Sequence, residues 1–385
     1  MFNLLVLFVS AGLIVIALTT LLNVFMFPRL RAKNPTTLTA SPFVSVMIPA
    51  RNEAKIIGEA INAMLAQDYP NFEVILLDDN SEDGTAEIAK LAGKDDPRLT
   101  IMHGQPLPDG WMGKSWACHQ MAQTAQGDIL LFTDADTRWQ PNALTALVAE
   151  MTRTRADLYT VWSTQETVTW AERLCVPLMA LVVVGYLPII GTHYIPLSTF
   201  GAANGQCMAW RKTAYERIGG HQAVHDNVLE DVTMARLVKG AGLRLRMADA
   251  AGLITCQMYT DWRSVRDGFA KNILAGYGSS TALIIATVFH WLIFLFPLMW
   301  LMIDFSPLPL LLTLIGLLVR ALTAVFTRQR LADALLMPVS VILMTRIALQ
   351  SLYWQARFGG PEWKGRRITK STPPTQSKSE GLLHG

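Results

Sequence analysis

The sequence predicts an α/β domain built on a mainly parallel sheet and flanked on both sides by membrane-spanning helices. Three observations carry this. Short apolar runs alternate with segments of helical periodicity across residues 43–275. Long apolar blocks stand before and after that region. Acidic pairs follow directly on two of the apolar runs: Asp78-Asp79 after 74–77, and Asp134-Ala135-Asp136 after 129–132. The 385 residues are 51% hydrophobic and 16% charged, too apolar for a soluble chain of this length, and the excess is concentrated at the two ends.

From the amino terminus, residues 1–28 form an anchor whose stretch 4–27 is uncharged and long enough to cross a bilayer. It has no basic region before it and no small-residue cleavage pattern after it, so it reads as retained. Arg29, Arg31 and Lys33 follow at once and place the next domain in the cytoplasm by the positive-inside rule. Residues 29–42 read as a linker.

Within 43–275 the first strand covers 44–48 and ends at Pro49, and a helix covers 53–67 with apolar residues at helical spacing. A strand at 74–77, a helix from Ser81 to Leu91, a short strand at 98–102 and a helix at 114–126 follow. The strand 129–132 precedes a helix opened by Pro141, a favoured first-turn residue. This βαβα order implies a parallel sheet covered on both faces. Beyond it, 158–168 and 203–211 are strand-like, a helix runs from Glu230 to about Gly240-Ala241-Gly242, and 243–247 is extended. Trp262, Val265, Phe269 and Ile273 share one helical face, suited either to the membrane surface or to packing on the domain.

An apolar insertion at 174–197 carries no formal charge but is broken by Pro177, Gly185, Pro188, Gly191 and Pro196. A crossing there would put a bilayer between the second and third acidic pairs, so a re-entrant or interfacial segment is expected. The carboxy-terminal membrane region, 280–354, holds apolar blocks at 282–303, 307–326 and 331–354, and 355–385 is a polar basic tail. Four crossings would leave Arg357, Lys364, Arg366, Arg367 and Lys370 outside, against the charge rule, unless one block is re-entrant.

A net charge of +3, with no Lys/Arg run interleaved with aromatics, excludes nucleic acid as the expected partner. Four dispersed cysteines with no Cys-x-x-Cys exclude a disulfide framework or structural zinc site.

Carboxylates just after buried-type strands collect at the carboxyl edge of a parallel sheet, where α/β folds bind ligands. Asp79 there can accept an imide N–H from a nucleotide base, although Asp, Asn, Ser and Gly at a strand end also make ordinary turns. Asp134 and Asp136, two apart, face one side if the strand continues, and so can share one Mg2+ or Mn2+. Asp231 at a helix start is either a cap or a base for an acceptor hydroxyl. In the segment 107–117, Lys114 is placed to meet a donor phosphate, and Trp111 or Trp116 to stack on a sugar or lipid.

Taken together, Val44 to Glu53, Asp78 to Thr85, Asp134-Ala135-Asp136 and Glu230-Asp231 resemble, in that order, the family 2 inverting glycosyltransferases. The resemblance covers about 43–266. The segment 110–116 and Trp363-Lys364-Gly365-Arg366 look like the membrane-bound subgroup that includes hopene-associated and diaponeurosporenoate glycosyltransferases. It implies the GT-A fold, a Rossmann-like mixed sheet. It also implies a donor site at Pro49, Ala50, Arg51, Glu53, Asp79, Lys114 and Asp134, a metal held by Asp136 and Asp134, and Asp231 as catalytic base. Polymer synthases of the family carry Gln-x-x-Arg-Trp after the base. Here Asp261-Trp262-Arg263-Ser264-Val265-Arg266 stands instead, so one sugar per acceptor is expected.

The expected function is transfer of a single sugar from a nucleoside-diphosphate sugar, UDP-sugar favoured, to a lipid such as a carotenoid or hopanoid at the plasma or inner membrane. A polyprenyl-phosphate sugar transferase and a non-catalytic scaffold of the same fold are the alternatives. The sequence leaves oligomeric state open.

Overall fold

A computed structural model describes residues 1–33, 41–363 and 366–367. Residues 34–40 of the linker, the pair Lys364-Gly365 and the tail beyond Arg367, Lys370 included, lie outside the described residues.

The first helix, α1 (Phe2–Met26), leads into the domain. Its elements in order are β1 (Val44–Ala50), α2 (Ile57–Leu65), β2 (Phe72–Asp78), α3 (Thr85–Gly93), β3 (Leu99–His103), α4 (Gly113–Thr124), β4 (Ile129–Thr133), β5 (Thr137–Trp139) and α5 (Ala143–Thr154). Then follow β6 (Leu158–Trp162), β7 (Thr164–Gln165), α6 (Trp170–Tyr186), α7 (Ile189–Tyr194), β8 (Cys207–Arg211), α8 (Lys212–Arg217), α9 (Glu230–Gly240), β9 (Leu245–Asp249) and β10 (Ile254–Cys256).

Seven strands form one sheet in the order β3-β2-β1-β4-β8-β6-β9. All neighbours are parallel except β8, which runs against both β4 and β6. The alternation of side chains along a strand builds two cores. Val44, Val46 and Ile48 of β1 meet Ile57 and Ile61 of α2 and Leu147 of α5. Met47 and its neighbours on the other face meet Cys118 and Met121 of α4 and Met234 and Val238 of α9.

The βαβα reading therefore holds, with differences in detail. The run 158–168 breaks at Ser163 into two strands belonging to different sheets, because β7 leaves to pair with β10, which pairs on its other edge with β5. Only 207–211 of the run 203–211 is strand, and 203–206 forms a loop beneath the site. The start of the expected linker is docked: Leu30 donates to the Asp249 carbonyl, Asp249 donates to the Pro28 carbonyl, and Leu30 is buried in the core.

The remaining helices are α10 (Trp262–Tyr277), α11 (Ser280–His290), α12 (Phe296–Ile303), α13 (Pro307–Phe326) and α14 (Met337–Phe358). Among the described residues, four segments are long and apolar enough to cross a membrane: Phe2–Met26, Ser280–Ile303, Pro307–Phe326 and Leu331–Phe358. A π-helical turn at Trp291–Leu295 joins α11 to α12.

The insertion 174–197 falls within α6 and α7. It leaves the domain after β7 and returns to β8, so both of its ends stand on one side of the bundle. Pro177 within α6 has no N–H for the carbonyl of residue 173. Nη2 of the fully buried Arg320 of α13 donates to that carbonyl at 3.3 Å.

The final apolar segment also turns back. Leu335 and Met337 share a small cavity with Phe294, Leu312 and Gly316, so α14 begins beside the middle of α13 rather than at its end. From there it runs towards the domain, where Ile347 packs on Val265, and Trp354 and Trp262 join the same cluster. α10 packs on α6 and α14: Val265 is buried with Ala171, Cys175 and Ile347, and Trp262 stacks on Trp170 of α6 with ring centroids 5.7 Å apart.

Candidate active site

The carboxyl ends of β1, β2 and β4 lie side by side, and the loops leaving them are tied together by short hydrogen bonds. At the end of β1, Ala50 pairs with Asp78, and its carbonyl accepts the Asp79 N–H at 2.8 Å. Arg51 Nη1 donates to the Asp79 carbonyl at 2.7 Å. The Asn52 N–H reaches Ser81 Oγ, the Glu53 N–H reaches Thr85 Oγ1, and the Ala54 N–H reaches Asp83 Oδ2. Asn52 and Asn80 both adopt left-handed backbone, which Asn tolerates better than most residues. The two motifs 48–53 and 78–85 thus form one rigid wall. Asp79 is 6% exposed in it, and lies two strands from β4, about 10 Å away at ordinary strand spacing.

Asp134-Ala135-Asp136 does not continue β4. It forms the tight turn between β4 and β5, so the expected strand geometry is corrected. The turn is fixed by Thr137, whose N–H and hydroxyl both donate to the Asp134 carbonyl. Asp136 is nevertheless held close to its partner: burial, the Asp134 charge and the Glu53 charge push its carboxyl up to about 7. Asp136 Oδ1 is buried and has no hydrogen-bond partner.

Lys114, in the first turn of α4, lies between β4 and α9. Its ammonium contacts Asp134 Oδ1 at 2.7 Å and Glu230 Oε1 at 3.2 Å, with the Gly205 carbonyl at 3.4 Å. Burial opposes the charge on Lys114, yet the two carboxylates hold its pKa well above the usual lysine value. Where the sequence reading paired Lys114 with a donor phosphate, its partners here are two carboxylates.

Asp231 sits in the first turn of α9. Oδ2 accepts the Gly205 N–H at 2.9 Å and Oδ1 accepts the Val232 N–H at 2.8 Å. Burial and the adjacent Glu230 push its carboxyl up to about 6, against the pull of Lys114. A side chain at position 205 would begin 3.2 Å from Asp231 Oδ2 and 3.3 Å from Lys114 Nζ, so glycine leaves room for both.

Glu53, Lys114, Asp134, Asp136 and Asp231 are thus brought into one constellation. Asp79, Pro49, Ala50 and Arg51 line the neighbouring wall. Sequence reasoning missed Gly205, Gln206 and Cys256. Gln206 Nε2 donates to Cys256 Sγ, and that thiol in turn bonds Asp136 from below. Gly205 falls in a stretch that reads as strand, and nothing in its neighbours marks it out. Trp111 and Trp116 pack edge to face at 5.0 Å, with His119 and His225 against Trp111. Asp261, in the place of the missing synthase motif, caps α10 through a reciprocal pair of bonds with Ser264.

Among the described residues no group of three or more His, Cys, Asp or Glu is placed to hold a metal by itself. Asp134 and Asp136 nevertheless suit a hard cation. They are two carboxylates in mutual repulsion, one with a buried free oxygen, and Mg2+ is commonly bound by one or two carboxylates completed by substrate phosphates.

Comparison with known proteins gives three findings. Residues 45–182 match the family model for Glycosyl transferase family 2. A 4,4'-diaponeurosporenoate glycosyltransferase of Staphylococcus haemolyticus is 26% identical over 259 residues, 65% of this chain and 66% of that relative. One of the same name from Staphylococcus aureus is 24% identical over 375 residues, 93% of this chain and 97% of the relative. Among solved structures, the mannosyltransferase PcManGT from Pyrobaculum calidifontis, in complex with GDP-Man and Mn2+, superposes with a TM-score of 0.54 at 18% identity. The match covers 92% of this chain and 95% of that one, and shows a common GT-A fold.

Proposed function

Because the chain carries a family 2 glycosyltransferase domain on a GT-A fold, we propose that it transfers one sugar, with inversion, from a nucleoside-diphosphate sugar to a hydroxyl or carboxyl of a membrane lipid. The observation that carries this is the Lys114 bridge. It ties the acidic turn Asp134–Asp136 to the helix start bearing Asp231, so that a cation-binding pair and a separate carboxylate face one space. Donors of the UDP class are the first to test. PcManGT, with GDP-Man bound, makes GDP-sugars the second.

In this reading Asp79 takes the nucleotide base at the wall formed by Pro49, Ala50, Arg51 and Glu53, and Asp134 and Asp136 hold Mg2+ or Mn2+. The cation would supply charge neutralisation on the departing diphosphate. Asp231 accepts the proton of the acceptor hydroxyl, the oxygen bonds to C1 from the face opposite the diphosphate, and the C1–O bond to the diphosphate breaks. A carboxyl near 6 is ionised at neutral pH and still basic enough to take that proton. If the acceptor is already a carboxylate, Asp231 orients it instead. The relatives named for diaponeurosporenoate support a long, apolar acceptor.

The same proposal makes the protein a multi-pass membrane protein with its catalytic domain on the cytoplasmic side, as Arg29, Arg31 and Lys33 favour. α1, α11–α12 and α13 would cross, and 331–358 would enter and return.

The test is transfer of radiolabelled UDP- and GDP-sugars to a panel of carotenoid acids, hopanoids and polyprenyl phosphates by the full chain in nanodiscs. An acid-labile product on polyprenyl phosphate alone would replace this acceptor class. No donor turnover with any metal would discard the reading.

A further inference from the structure

Residues 187–205 do more than return the chain from α6 to the sheet. They run along α9, the helix that carries Asp231, and hold it at three levels. At the far end, the Lys239 ammonium is buried and donates to the carbonyls of Gly191 at 3.2 Å, Thr192 at 2.7 Å and Ile195 at 2.7 Å. Gly191 and Thr192 belong to α7 and Ile195 caps it, its N–H bonding the Gly191 carbonyl, so the ammonium gathers the carbonyl end of that short helix. Midway, Gly201 lies so close to α9 that any Cβ there would stand 2.8 Å from Arg236 Cα. At the near end, the Gly205 N–H holds Asp231 Oδ2.

The other end of this segment is fastened to a membrane helix. Asn23 of α1 is buried, and its Nδ2 donates to the carbonyls of Val184 and Leu187, both at 2.8 Å. Its Oδ1 accepts the Ile189 N–H at 2.9 Å. The turn into α7 is therefore fixed at the level of the last turn of α1, where Phe25 and Met26 are exposed. The outward ridge that follows is apolar and exposed: Ile190, Tyr194 (69%), Ile195 and Leu197 (56%). A guanidinium closes its lower flank, since Arg246 lies over the Tyr194 ring at 5.0 Å and donates to the His193 carbonyl.

We propose that residues 187–205 form a strap seated in the bilayer surface, its ridge in contact with lipid, and that Lys239 is a positioning residue fixing the height of Asp231 over the lipid plane. The occupant of the ridge is bilayer lipid, because the ridge continues the lipid-facing surface of α1 without a break. From Asp231 to Lys239 is eight residues of helix, about 12 Å. A fixed strap at one end therefore sets where the carboxylate stands at the other. The inference rests on Asp231 acting at the acceptor.

The described cysteines are all buried, so one introduced thiol can be labelled selectively. Leu197→Cys carrying the NBD fluorophore, in full-length protein in phosphatidylcholine–phosphatidylglycerol nanodiscs, should emit to the blue. It should also be quenched at least threefold by lipids spin-labelled near the headgroup. Leu91→Cys on α3 should emit as in water. Water-like emission from position 197 overturns the strap, and this arm needs no activity. Lys239→Met should lower the ratio of transfer to lipid over hydrolysis of the donor by water about tenfold. An unchanged ratio in a folded variant overturns the role of Lys239. A wild-type protein without donor turnover would instead fail the reading of the active site, while the fluorescence still decides the position of the strap.

Discussion

Asp231→Asn separates the base from the scaffold more cleanly than any other single change. The amide has nearly the volume of the carboxylate, but only one of its two ends accepts a hydrogen bond. The native side chain receives the Gly205 N–H on Oδ2 and the Val232 N–H on Oδ1. The amide must therefore leave one of these donors unpaired, at about 1–3 kcal/mol, in a helix that stays packed through Met234, Ala235 and Val238. Removing the base should cost about 100- to 10,000-fold in kcat, or about 3–5 kcal/mol of barrier. The wild-type pH profile adds an independent sign. With its carboxyl raised to about 6, the group must lose its proton to act, so kcat/KM should fall as the pH drops below about 6 and level off above. The variant should have lost that limb. Transfer of radiolabelled donor to lipid, measured from pH 5 to 9 beside a thermal-unfolding trace, reads both quantities. A folded variant that keeps more than about a tenth of its activity and an acid limb near 6 would refute the argument.

Three further outcomes are expected. Asp136→Ala should abolish Mn2+ binding measured by electron paramagnetic resonance. In the wild type the proton on a carboxyl raised to about 7 should compete, weakening Mn2+ about tenfold per pH unit below 7. Gly205→Ala should lower transfer about tenfold with little change in melting temperature, because the methyl group would stand 3.2 Å from Asp231 Oδ2 and 3.3 Å from Lys114 Nζ and push the carboxylate from its place. Arg320→Met should cost less stability in a Pro177→Ala background than in the wild type. Restoring the N–H at 177 relieves the carbonyl that Arg320 serves, so a double-mutant cycle in detergent should give a coupling of about 1 kcal/mol.

The sheet was legible because Val44, Val46 and Ile48, and again Val74 and Leu76, concentrate buried apolar residues in runs too short for helices. The acidic pairs were legible because they directly follow such runs. The small sheet of β5, β10 and β7 was not: two or three residues each leave no measurable periodicity. Nor was the role of Gly205, which depends on a contact 26 positions away with Asp231. The two-apart rule misplaced Asp134 and Asp136 because it assumed that β4 continued, whereas Thr137 folds the chain back there. Hydropathy identified the last apolar block but could not say that it returns, since a helix that crosses and one that doubles back have the same composition.

That doubling back bears on charge. On the proposed three passes through the lipid, an odd number, the amino-terminal Phe2, which packs on Trp300, and the end of α14, which packs near Trp262, would lie at opposite faces of the bundle. On that reading Arg357 emerges beneath the catalytic domain, on the side where Arg29 and Arg263 stand. Their shared sign makes a cationic collar around the foot of the domain. On the same reading such a collar would draw anionic headgroups inward and hold the whole sheet upright on the membrane, leaving the donor to enter from water above and the lipid from the side.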